Sequence, residues 1–110
     1  MSEIITLGEL TLDPRVQGPI WSYGGGQLDV NVLYFDRGEG VAEHVNPELD
    51  VWLVVIGGAG EALVGGVAHP LAVGTCLYIP AGVARAIRST GESLVYASAH
   101  QKRRGLMPDQ

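Results

Sequence analysis

Residues 38–57 read GEGVAEHVNPELDVWLVVIG, and this stretch decides the fold. A glycine-rich turn leads into His44 and Asn46, which share one face of an extended segment because side chains alternate along a strand. Asn46-Pro47 forms a tight turn, and an apolar run follows Asp50. In that run Asp50, Trp52, Val54 and Ile56 share one face, and Val51, Leu53 and Val55 share the other. With the first face turned inward, His44, Asn46 and Asp50 form a polar trio at the mouth of an apolar interior. Such a mouth suits a metal or small-molecule pocket in a small β-barrel. It names no ligand.

Outward from this stretch, short strands recur between turns every eight to twelve residues. Upstream, residues 4–12 read as an edge strand and residues 20–23 as a strand closed by Gly24-Gly25-Gly26. No helix follows the triple glycine, so it is a hairpin turn and not a phosphate cradle. Residues 28–35 alternate with strand period. Downstream, Gly57-Gly58-Ala59-Gly60 reads as a turn, 61–64 as a strand and Gly65-Gly66 as a hairpin. Strands over 67–71, 75–79, 83–88 and 93–100 follow, with turns at Gly74, Pro80-Ala81-Gly82 and Ser89-Thr90-Gly91; an irregular tail begins at Arg104. No stretch keeps helical period. The expectation is an all-β sandwich or barrel.

The chain has 110 residues, one domain's worth, with 46% hydrophobic and 17% charged residues, which describes a globular chain. Its formal charge of −5 and the lack of a basic stripe among aromatics argue against nucleic acid as a partner. Lys102-Arg103-Arg104 reads as a solvated tail. The single cysteine, Cys76, lies in an apolar run and reads as a buried, inert thiol. No signal-like start and no membrane-length apolar run occur, so a soluble protein of a reducing compartment, the cytoplasm, is expected. The segment 51–56 is apolar on both faces and needs a cover outside the barrel. A second copy in a homodimer is the simplest cover.

These residues resemble a small single-domain cupin, a double-stranded β-helix or jelly-roll barrel. The first family motif, G-x5-H-x-H-x3,4-E-x6-G, is matched in spacing by Gly38, His44, Asn46, Asp50 and Gly57. The second, G-x5-P-x-G-x2-H-x3-N, is matched by Gly74, Pro80, Gly82, Arg85 and Ser89. The resemblance spans residues 28–100, with motif one at 38–57 and motif two at 74–89. It implies that the metal-ligand positions of the family are held here by His44, Asn46, Asp50 and Arg85. Asparagine is a poor ligand for transition metals, and a guanidinium has no lone pair to give. A tight transition-metal site is therefore expected to be absent, and a weak divalent site at His44 and Asp50 completed by water stays open. His69 and His100 read as surface residues.

The resemblance also implies that Arg85 faces Asp50 and His44 across the barrel. Two versions follow. Arg85 and Asp50 form a structural ion pair that plugs the pocket, or Arg85 clamps a carboxylate or enolate with Asp50 orienting its fork. Trp52 reads as core, with a pocket wall as the alternative, and Tyr78 as a ligand-binding residue of unassigned face. His44 is a hydrogen-bonded barrel residue or a general base. Three functions are compatible with this set: a small-molecule-binding cupin for an anionic ligand; a metal-independent isomerase or cyclase that uses His44; and a metal-dependent dioxygenase with a reduced ligand set.

Overall fold

The computed structural model describes residue 6 and residues 17–102. Apart from residue 6, the expected edge strand over 4–12 lies outside the described residues, as does the tail from 104. The described residues form seven antiparallel strands: β1 (Gly18–Tyr23), β2 (Leu28–Asp36), β3 (Gly40–His44), β4 (Val51–Val64), β5 (Val67–Ala72), β6 (Cys76–Ile79) and β7 (Arg85–Gln101). The architecture is all-β, as expected for a jelly-roll barrel. Among the described residues, no helix is long and apolar enough to cross a membrane.

Two long strands organise the barrel. The first part of β4 pairs with the last part of β7, Val51 opposite His100 through Gly58 opposite Leu94. The last part of β4 then pairs with the first part of β7, Gly60 opposite Ser89 through Val64 opposite Arg85. The first half is extended by β2, β1 and β6, and the second by β3 and β5. Where sequence reading expects turns at 57–60 and 89–91, the ladder instead slips. It shifts register between Val55 and Gly57 and again between Gly58 and Gly60. Glycine there serves a bulge, not a chain reversal. Gly58 has φ of 74°, and a Cβ on it would lie 1.9 Å from the Ser93 carbonyl oxygen. Only glycine lets the two long strands cross so closely.

The core draws on both halves: Phe35, Leu53, Val55, Ile79, Leu94 and Tyr96 from one, Ala62, Leu71 and Ile87 from the other. Phe35 and Tyr96 stack with ring centroids 6.2 Å apart. Each fully buried Leu or Ile here contributes roughly 1.5–3 kcal/mol of transfer free energy.

This core inverts the expected faces of β4. Leu53 and Val55 are each 1% exposed, whereas Trp52 is 42% exposed and Asp50 is exposed. The inward face is thus the Leu53–Val55 face, and Trp52 is not core. Both faces of the run are apolar, so alternation alone could not choose between them; the partners do. Leu53 lies opposite Leu77 on β6 and Ser98 on β7, and those side chains also turn inward. The same parity puts Cys76 and Tyr78 outside and Ile79 inside. Cys76 is therefore exposed and not the buried thiol expected from its apolar neighbours.

Candidate functional site

The two motif segments are knitted into one another at one end of the barrel. β3 stops at His44, and Asn46 lies in the loop after it, so the two do not share a strand. Asn46 Oδ1 accepts the Glu48 and Leu49 N–H groups, both at 3.1 Å, and so closes the 46–49 bend that Pro47 starts. The Asn46 carbonyl accepts the Gly82 N–H at 2.8 Å. Asp50 Oδ1 accepts the Ala81 N–H at 2.7 Å, and Asp50 Oδ2 accepts the Tyr78 hydroxyl. Arg85 Nε donates to the Val83 carbonyl at 2.9 Å and Nη2 to the Pro80 carbonyl at 3.1 Å. Most of these bonds end on the turn 80–83 or on the bend that faces it.

The expected Arg85–Asp50 ion pair does not form. Arg85 shares the inward parity of Ile87 and Ser89 on β7 and is 4% exposed. Asp50 lies on the outward parity of β4, with both oxygens already engaged. The ion pair seen among the described residues is Arg88–Glu61 at 3.6 Å, on the surface. Arg85 is thus a buried cation bonded to two neutral carbonyls. Burial lowers its pKa, yet a guanidinium starts so high that it keeps its charge. The Tyr78 hydroxyl, followed by the Ala81 N–H, holds the Asp50 carboxyl below its ordinary value, and the same Tyr78 bond pushes the phenol up.

His44 is exposed and sits opposite Arg85 in the β3–β7 register. Its Nδ1 lies 2.9 Å from the Ala42 carbonyl oxygen, which can only accept, so Nδ1 is the donor. His69 and His100 are half-buried on β5 and β7.

Trp52 and Tyr78 lie outside the barrel. They face each other across β4 and β6 and line a surface cleft of about 330 Å³ with Glu48, Asp50, Ala99 and Gln101. The six residues singled out from the sequence thus separate. Arg85 and His44 belong to the inward end of β7 and β3; Asp50, Trp52 and Tyr78 belong to the outer cleft; Asn46 is a loop brace. Glu48 is two residues before the acidic motif position, and that spacing could have been noticed. Ala99 and Gln101 could not, because their place beside Trp52 depends on strand pairing. A second cleft, about 440 Å³, lies between β3, β4 and β7 beside Glu61 and Arg88, and none of the six lines it.

At the family's metal positions the polar side chains are engaged with the protein itself. Among the described residues, no three His, Cys, Asp or Glu side chains converge. The Asn46 side-chain oxygen is spent on the backbone, and Asp50 on Tyr78 and Ala81.

Comparison with known proteins agrees with this architecture. TT1209 from Thermus thermophilus has 20% sequence identity over 94% of this chain and 100% of its own, with a TM-score of 0.80. An uncharacterised conserved protein with a double-stranded β-helix domain from Klebsiella pneumoniae gives 21% identity, 91% and 84% coverage and 0.79. BH2720 from Bacillus halodurans gives 25% identity and 0.67; 71% of this chain aligns, spanning 64% of the length of that protein. Among curated proteins no sequence matches. The cupin domain family matches residues 31–98. With motif spacing, strand order and sequence profile in agreement over most of its length, the chain belongs to the cupin family.

Proposed function

We propose that this cupin binds a small anionic ligand, a carboxylate, at Arg85, and that it works without a tightly bound transition metal. The observation that carries the reading is a buried guanidinium with no carboxylate beside it among the described residues. A guanidinium has five N–H donors, and two are spent on carbonyls, so a planar acceptor would find a fork ready. The ion-pair plug loses its support, since Asp50 is committed to Tyr78 and Ala81. A panel of small carboxylates tested by thermal unfolding checks the reading. A ligand at a hundred times its Kd stabilises the wild type by about 2.7 kcal/mol, and Arg85→Gln abolishes the response. A wild type indifferent to every anion, or an Arg85→Gln variant with an unchanged response, overturns it.

A second reading, a metal-independent isomerase or cyclase, draws on the register that sets His44 opposite Arg85. There the His44 Nε2 would take a proton from a carbon acid held by the guanidinium. Loss of solvent exchange at that C–H in His44→Ala would be its mark. The outward side chains of β4, Val54 and Ile56, are apolar and only half-buried, and they support a homodimer. A dimeric mass by sedimentation is the expected result; a monomer at micromolar concentration contradicts it.

A further inference from the structure

The outer cleft has the opposite charge from Arg85, and it is built differently. Trp52 and Tyr78 stand side by side in the β4–β6 register, 42% and 59% exposed. On its other side Trp52 faces Ala99, whose methyl leaves the indole open along that edge. The cleft is therefore lined by two aromatic side chains together with the small Ala99 and the polar Gln101. Glu48 and Asp50 supply the charge. Among the described residues neither carboxylate has a cationic partner within ion-pair distance. Asp50 is held in place by Tyr78 and Ala81, so the wall and one charge are fixed in position before any ligand arrives.

Exposed aromatic faces beside uncompensated carboxylates attract a soft cation, through the ring quadrupole and through charge together. A hydrophobic partner alone would meet the wall but strand the two acids. A second copy docked here through a two-fold axis would set like charges against one another, which is costly. We propose that the cleft formed by Glu48, Asp50, Trp52, Tyr78, Ala99 and Gln101 is a binding site for a small organic ammonium cation, separate from the site at Arg85.

The test uses choline and its uncharged carbon isostere, 3,3-dimethylbutan-1-ol, at constant ionic strength. Trp21 and Trp52 are the two tryptophans, so Trp21→Phe makes Trp52 the only indole, and its fluorescence reads the cleft. Saturable change with choline is expected, with the neutral isostere at least about tenfold weaker. Glu48→Gln, a surface change at a side chain that makes no bond among the described residues, should weaken choline several-fold while leaving the unfolding midpoint unchanged. Asp50→Asn should weaken it too. No saturable change up to ~100 mM, equal response to the isostere, or an unaffected Glu48→Gln variant overturns the proposal. So does loss of the choline response at protein concentrations where the chain is dimeric, which would assign the cleft to a second copy. None of these outcomes bears on carboxylate binding at Arg85.

Discussion

Asp50 and Arg85 do not touch, yet both hold the turn 80–83: Asp50 accepts the Ala81 N–H, and Arg85 donates to the carbonyls of Pro80 and Val83. Two positions that serve a metal in relatives have become braces on one loop, one from the outer face and one from the inner.

Because the two braces grip one turn without touching, their contributions should couple only weakly. Arg85→Ala is expected to cost about 2–4 kcal/mol in urea unfolding, from two lost charge-assisted bonds and a void. In an Asp50→Asn background the same substitution should cost nearly as much, less a small coupling carried by the shared turn. A cost that falls sharply in that background would reinstate the direct pair.

The Asp50–Tyr78 bond gives stability a defined pH dependence. A carboxyl whose pKa is lowered by folding adds stability above its unfolded value, about 3.9, and loses it as pH falls through the lower folded value. A phenol whose pKa is raised adds stability below its unfolded value, about 10, and loses it as pH rises through the folded one. Wild type should therefore exceed Asp50→Asn most between those limits, and the difference should shrink in acid. Tyr78→Phe should remove that phenol's share of the alkaline decline and leave the share of Tyr34 and Tyr96, whose phenols folding also pushes up. A constant gap between wild type and Asp50→Asn down to about pH 2 would contradict the assignment.

The two faces of β4 should respond oppositely to truncation. Leu53→Ala removes a side chain that is 1% exposed, and should cost about 2–5 kcal/mol. Trp52→Ala removes a larger but exposed one, and should cost under about 1.5 kcal/mol. Chemical denaturation decides, and a reversed order would return Trp52 to the interior.

Gly58 should tolerate nothing larger. Its φ of 74° is strained for an L residue, and a Cβ would collide with the Ser93 carbonyl. Gly58→Ala should cost at least about 3 kcal/mol. Gly66, with open space around it and φ of 83°, should cost about 1–2 kcal/mol. Equal midpoints for the two variants would mean that the strands do not cross as described.

Much of this fold is legible in the residues. Hydrophobic alternation marks β2, the Gly65-Gly66 hairpin separates β4 from β5, and the spacing from Gly38 to Ser89 carries the family. Two things are not legible. Gly57 to Gly60 and Ser89 to Gly91 have turn composition, but long-range pairing converts both into irregularities within β4 and β7. The direction of 51–56 is hidden because both faces are apolar, and only its partners Leu77 and Ser98 settle it. That single inversion moves Asp50 from an expected pocket mouth and Trp52 from an expected core to the outside, beside Tyr78, whose face the sequence left unassigned, and leaves Arg85 inside without them.

The account turns on Arg85 as a buried cation free of Asp50, and its Nε–H resonance in ¹⁵N-edited spectra reports both claims at once. A binding carboxylate should move that resonance saturably, and Asp50→Asn should leave it nearly in place. A resonance that shifts on Asp50→Asn and ignores every carboxylate would contradict the account.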